Sequence, residues 1–151
     1  MFATSPMHLQ ASTSGAMHQF ERAHLRGWLR HQWAALTGHS HKLYELAAIT
    51  RTTNVSERHF AGIQAVPIRQ IRGTEDRSED FDRDFNPLSD RSRQRWVSVF
   101  SAWLKGTALP AVELIRVGET YFVRDGHHRI SVAHALGQEY IEAVVTEWAI
   151  G

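Results

Sequence analysis

The residues best equipped for chemistry in this chain stand together in one stretch, Asp125-Gly126-His127-His128-Arg129. The apolar run Tyr121-Phe122-Val123 leads into it through Arg124, and a short helical pattern leaves it and ends at Gly137. This order predicts a strand, a tight turn and a helix beginning near His127. Gly126 fits a turn that needs positive φ or close backbone approach. The first turn of a helix carries N–H groups without intrahelical partners and the positive end of the dipole, which together favour an anion. The dipole contributes about 0.3–1 kcal/mol, rising to about 2 when partly buried. A charge-assisted hydrogen bond from Arg129 adds roughly 1.5–3 kcal/mol. Gly126 and Arg129 therefore suit a phosphate, and His127 and His128 can donate to it or move a proton near neutral pH.

Asp125 works against a bare phosphate. Three roles resolve the conflict. It can ligate a Mg²⁺ that travels with a nucleotide. It can act as a general base towards a hydroxyl. Or it can cap the helix and do no chemistry, since Asp is among the preferred N-caps. Zinc is not expected. Adjacent helical histidines point about 100° apart, and no third ligand stands at useful spacing. The signature of the zinc deaminases is absent too. His134, in mid-helix, reads as a half-buried residue, and His39 and His41 as a loop pair without an assigned role.

The elements that must position this turn follow from the pattern on either side. Val112–Val117 and Thr120–Arg124 read as a hairpin around Gly118-Glu119. A helix from Ser89 to about Lys105 buries Trp96, Val97, Phe100 and Trp103, and Gly106 stops it. Ile141–Thr146 is the last strand. Upstream, Ala65–Ile71 is a short strand that begins at an edge, because Pro67 cannot donate to a ladder. A charged loop from Gly73 to Asp90 surrounds Phe81 and Phe85, whose spacing fits one helical turn anchored on the core. Residues 50–62 read as a linker. Residues 16–37 read as a helix with Phe20, Leu25, Trp28, Leu29, Trp33 and Leu36 on its apolar side. A second short helix over 41–49 completes a helical hairpin. That hairpin is too small to stand alone and should pack on the rest of the chain or on a partner. Residues 1–15, rich in Ser, Thr, Ala and Gly, read as a disordered tail. The expected organisation is thus a tail over 1–15, a hairpin and linker over 16–61, and one α+β domain over 62–151 with a small mixed sheet.

Bulk composition sets limits on function. The 151 residues carry a formal net charge of +1, and 42% are hydrophobic. That suits one compact domain rather than a polycation, so DNA binding would require a local basic patch. There is no cysteine, which excludes disulfides, thiolate metal sites and a cysteine nucleophile. The same absence fits a cytoplasmic protein. The N-terminus lacks the pattern of a signal peptide, and no apolar run nears the roughly 20 residues of a membrane helix.

Over residues 62–147 the sequence resembles the ParB/sulfiredoxin superfamily. The resemblance rests on Val66-Pro67-Ile68-Arg69-Gln70-Ile71, the helix before Gly106, Leu109-Pro110-Ala111-Val112 and Tyr121–Arg129. With Phe81-Asp82-Arg83-Asp84-Phe85 it also resembles small stand-alone ParB-like proteins. The resemblance implies a small mixed sheet with helices and a nucleotide site at the turn. In partition ParB proteins a glycine–arginine box holds CTP phosphates. That implies phosphate contacts for Gly126, His127, His128 and Arg129, with Arg77 of the charged loop as a further member. Free-serine kinases of this fold use a similar loop with an acidic base. This implies catalytic roles for Asp125 and His128, with ATP or ADP as the nucleotide and Mg²⁺ on Asp125. Glu75 and Glu79 are then candidates for a second acid. Sulfiredoxin chemistry needs a cysteine where His127 stands, so it is excluded. A partition protein continues into a helix-turn-helix domain, whereas this sequence ends at Gly151, so centromere-type DNA binding is not expected. A DNA-binding or nuclease role rests on Arg22, Arg26 and Arg30 at four-residue steps and on Arg91, Arg93 and Arg95. The first set reads more readily as a solvated face.

Overall fold

A computed structural model describes residues 6–76 and 79–151, with side chains from residue 14 onward. The chain begins with helix α1 (Pro6–Thr37), then the short strand β1 (Tyr44–Glu45) and helix α2 (Leu46–Thr52). Strand β2 (Val55–Pro67) follows, then a single 3-10 turn and strand β3 (Ile71–Thr74). After the charged loop come helix α3 (Arg93–Leu104) and strands β4 (Val112–Val117) and β5 (Thr120–Asp125). Helix α4 (His127–Ala135) and strand β6 (Tyr140–Ile150) complete the chain.

The six strands form one mixed sheet in the order β1-β3-β5-β4-β6-β2. The β4–β5 hairpin is antiparallel, while β5 runs parallel to β3 and β4 parallel to β6. The expected α+β class and the mixed sheet are therefore both present. Alternation along the central strands sends side chains to two cores. Val112, Leu114, Tyr121 and Val123 meet Phe81, Phe85 and Ile130 on one face. Ile115, Val117 and Phe122 meet Leu46 of α2 on the other. A third cluster joins Phe20 of α1, Trp96 and Phe100 of α3, and Val132 of α4.

Several expectations change. Of the predicted tail, residues 6–15 form the first turns of α1. Pro6 occupies the opening position that tolerates proline, and Met7, Leu9, Gln10 and Ala11 are good helix formers. Residues 1–5 lie outside the described residues. The helical hairpin does not form as such. α1 packs along α3, and α2 instead covers the face of the sheet that carries Ile115 and Phe122. The linker over 50–62 is largely strand. β2 starts at Val55 and pairs antiparallel with β6 along its length, with a bulge between Phe60 and Gly62. Phe81 and Phe85 are both buried, as expected. They sit on a turn with Phe85 at φ 60 rather than on a helix.

The charged loop owes its order to Asp82, which is fully buried. Its carboxylate accepts the N–H groups of Asp84 and Asn86 at 3.0 and 2.9 Å and the Asn86 side-chain amide at 3.0 Å. A buried polar group is tolerated when it is hydrogen-bonded, and both carboxylate oxygens of Asp82 are. The loop is also tied to the helices. Trp96 Nε1 donates to Ser131 Oγ at 2.8 Å, and that hydroxyl donates to the Phe85 carbonyl at 2.6 Å.

Candidate functional site

Strand β5 ends at Asp125, Gly126 turns the chain, and α4 begins at His127, as the sequence predicts. Gly126 has φ 110, and a Cβ built there would stand 2.5 Å from Val112 Cγ1 and 2.8 Å from Val112 Cβ. Both reasons for glycine apply at once: positive φ and close packing against β4. Ile130 N–H donates to the Gly126 carbonyl at 3.0 Å, the first rung of the α4 ladder. The N–H groups of residues 127–129 precede that rung and mark the positive end of the helix.

The turn opens into a cleft of about 440 Å³ lined by Asp76, Arg95, Val99, Leu109, Pro110 and residues 124–129. Of the sequence candidates, the structure brings Asp125, Gly126, His127, His128 and Arg129 together here. Arg77 lies outside the described residues. Glu79 does not line the cleft, and Glu75 accepts from Arg124 Nε at 3.2 Å at its rim. Three cleft residues escaped the sequence reading in this role. Asp76 follows β3, which is parallel to β5. Arg95 and Val99 project from α3. No local signal connects them to a turn that follows Arg95 and Val99 by some thirty residues and Asp76 by some fifty. In sequence, Arg95 stands only as part of the basic cluster with Arg91 and Arg93.

Each side chain of the motif has a defined position. His127 is buried, hydrogen-bonded through Nε2 to Thr74 Oγ1 at 2.7 Å, and stacked on Phe81 with ring centroids 6.0 Å apart. It anchors the helix start to β3. His128 meets Phe81 edge-on at 5.3 Å and lines the cleft. Arg129 is largely enclosed, with 16% of its side chain exposed. Its Nη1 donates to the carbonyls of Pro110 and Ala111 at 2.6 and 3.1 Å. Its Nη2 donates to Asp125 Oδ2 at 3.2 Å. The guanidinium has five donors, so this use leaves Nε and part of Nη2 for other partners. Asp125 does not cap the helix, because the N-cap is Gly126 with no side-chain bond. Its carboxylate is instead 67% exposed and paired with Arg129.

The balance of charge in the cleft is mixed: Arg95, Arg124 and Arg129 face Asp76 and Asp125. Among the described residues no group of three or more His, Asp or Glu stands close enough to hold a metal by itself. Mg²⁺ is commonly held by one or two carboxylates together with substrate phosphates. Asp125 and Asp76 are the residues that could do so. Among the described residues, no helix is long and apolar enough to cross a membrane.

Fold and site together define an α+β protein with a six-stranded mixed sheet and a glycine-started helix opening onto a mixed-charge cleft. No family model and no curated protein matches the chain. Among solved structures it is similar to sulfiredoxin from Arabidopsis thaliana, at 18% identity over 58% of this chain and 86% of that one, with a TM-score of 0.44.

Proposed function

We propose that the cleft at the β5–α4 turn binds a nucleoside di- or triphosphate, with its phosphates against the first turn of α4. The observation that carries this is the convergence of a helix N-terminus with Arg95, Arg124 and Arg129 on one cleft. Backbone N–H groups and guanidinium donors are the two groups that hold phosphate most strongly. His127 takes part through its backbone, because its ring is committed to Thr74. Mg²⁺ enters with the phosphates and is met by Asp125 and Asp76, which removes the conflict between acid and anion. CTP, ATP and ADP are the candidate nucleotides. Calorimetry with each of them and GTP, with Mg²⁺ present, tests the reading. Binding that weakens in Arg95→Ala is expected, and no binding by any nucleotide overturns it.

One observation favours a catalytic reading as well. Asp125 is exposed in the cleft and is not consumed as a cap. In that reading the protein is a phosphotransferase or nucleotide hydrolase. Asp125 takes the proton of an acceptor hydroxyl or water, His128 assists, and Arg129 keeps Asp125 in place. Asp125→Asn should then abolish turnover and leave nucleotide binding largely intact. Turnover that persists in Asp125→Asn removes the role. A DNA-binding or nuclease role draws less support. Arg91 and Arg93 pair with Asp80, Asp90 and Glu21, and Arg30 pairs with Asp84.

A further inference from the structure

Helix α1 has two apolar faces, and the fold uses only one. Ala16, Phe20, Ala23 and Gly27 recur at four- and three-residue steps and are buried against α3 and the 86–88 segment. Leu25, Leu29, Trp33 and Leu36 recur in the same way on the other side of the helix, with Trp28 beside them. These five are 52–82% exposed. A stripe of this size left in water marks an interaction surface.

We propose that a second copy of this chain covers the stripe, with the two α1 helices antiparallel. The pattern is self-complementary. If Leu25 lies opposite Leu36 of the second copy, then Trp28 falls opposite Trp33 and Leu29 opposite Gln32. The same three pairs recur across the two-fold axis, as an isologous contact demands. In this register Arg26 meets Ala35 and Arg30 meets His31, while Arg22 lies beyond the end of the second helix at Thr37, so no two arginines oppose each other. A cleft of about 410 Å³ beside the stripe, lined by Leu29, Trp33, Ala34 and His41 among others, receives Trp28 of the second copy. Tryptophan in a well-packed pocket is among the side chains enriched at interface hot spots. The size also fits. Trp28 and Trp33 are 53% and 67% exposed, so somewhat more than half of the roughly 150–250 Å² that a fully covered tryptophan buries is still open on each. With the three leucines on both copies this comes to about 1,200 Å², the lower end of specific interfaces.

The chain has no cysteine, which allows a direct test of the register. Leu25→Cys and Leu36→Cys chains are made separately and mixed under mild oxidation. Cross-linked dimer is expected in the mixture and not from either variant alone, because equivalent positions stand far apart in an antiparallel pair. Sedimentation of the unaltered chain at micromolar concentrations should show two chains. Trp33→Glu should weaken that association roughly thirty-fold or more, with thermal unfolding of the dilute protein unchanged because Trp33 is 67% exposed. Three results would each overturn the proposal. One is a monomer at all these concentrations. Another is cross-linking of Leu25→Cys to itself as efficient as in the mixture. The last is a monomer that co-sediments through this stripe with phosphatidylserine vesicles, which assigns the face to a lipid surface.

Discussion

Replacing Gly126 with alanine tests the geometry of the turn most sharply. Two effects add. A residue with a Cβ pays about 1–2 kcal/mol to adopt a left-handed backbone. The new methyl also lies 2.5 Å from Val112 Cγ1 and 2.8 Å from Val112 Cβ. Val112 is fully buried in a central strand and cannot swing away, so overpacking adds about 1–3 kcal/mol. The expected loss is therefore about 2–5 kcal/mol, or roughly 5–15 °C in Tm for a domain of this size. Gly118→Ala separates the two terms. Gly118 has φ 63 and nothing within 4 Å of its built Cβ, so only the backbone cost applies there, about 1–2 kcal/mol. Thermal or urea unfolding of both variants and of Gly126→Ala/Val112→Ala gives the answer. Val112→Ala removes the clashing methyls, so the double variant should lose less than the sum of the two single changes. If Gly126→Ala and Gly118→Ala lose the same stability, or if the double variant is additive, the close approach of the turn to β4 is wrong.

Other predictions follow from the same contacts. Arg129→Lys keeps the charge but loses the fork that spans the Pro110 and Ala111 carbonyls and Asp125, so unfolding should show a loss of about 1–3 kcal/mol. Asp82→Ala strips three donors of their buried acceptor and should destabilise by roughly 2–5 kcal/mol, with faster proteolysis of the 79–90 loop as a second readout. His134 has its pKa held below the ordinary imidazole value, first by burial and then by Arg26 and Arg30, with Asp82 opposing. The unfolded chain therefore binds its proton more readily. The stability that this group contributes is present above its unfolded pKa of about 6.5, and it is lost as pH falls below that value. The Tm of the native chain should drop on acidification through this window more than that of His134→Gln, and parallel curves would refute the assignment. Trp96→Phe breaks the bond to Ser131 and leaves the buried serine hydroxyl short of a donor, at a loss of about 1–3 kcal/mol measurable by urea unfolding.

Local pattern made the centre of this protein legible. The β4–β5 hairpin and α4 appear where alternation, Gly118 and the Asp125-Gly126 break place them, because these signals act within a few residues of one another. The site's turn was readable for the same reason. Its wider composition was not. Asp76 and Arg95 reach the cleft only because β3 lies parallel to β5 and α3 packs over α4, and neither pairing leaves a trace in local sequence. Partners also decide what a residue type does. Asp82 looked like one more charge in an acidic loop, and burial among three donors made it the loop's anchor. Asp125 had three roles open to it, and the Gly126 cap closed one of them. β2 reads as a linker in sequence because an edge strand exposed on most of its length, with a bulge at Phe60 and Gly62, has no strict alternation to read. Period groups Phe20 with Leu25, Trp28, Leu29, Trp33 and Leu36 on α1, whereas the structure buries Phe20 on one face and leaves the other five exposed on the opposite one, because period cannot say what covers a face. The sequence by itself therefore determined the elements whose signals are local and the glycine turn between β5 and α4. Tertiary structure alone decided which side chains share that turn, which charges are buried, and which apolar stripe remains open, since each depends on contacts between residues far apart in the chain.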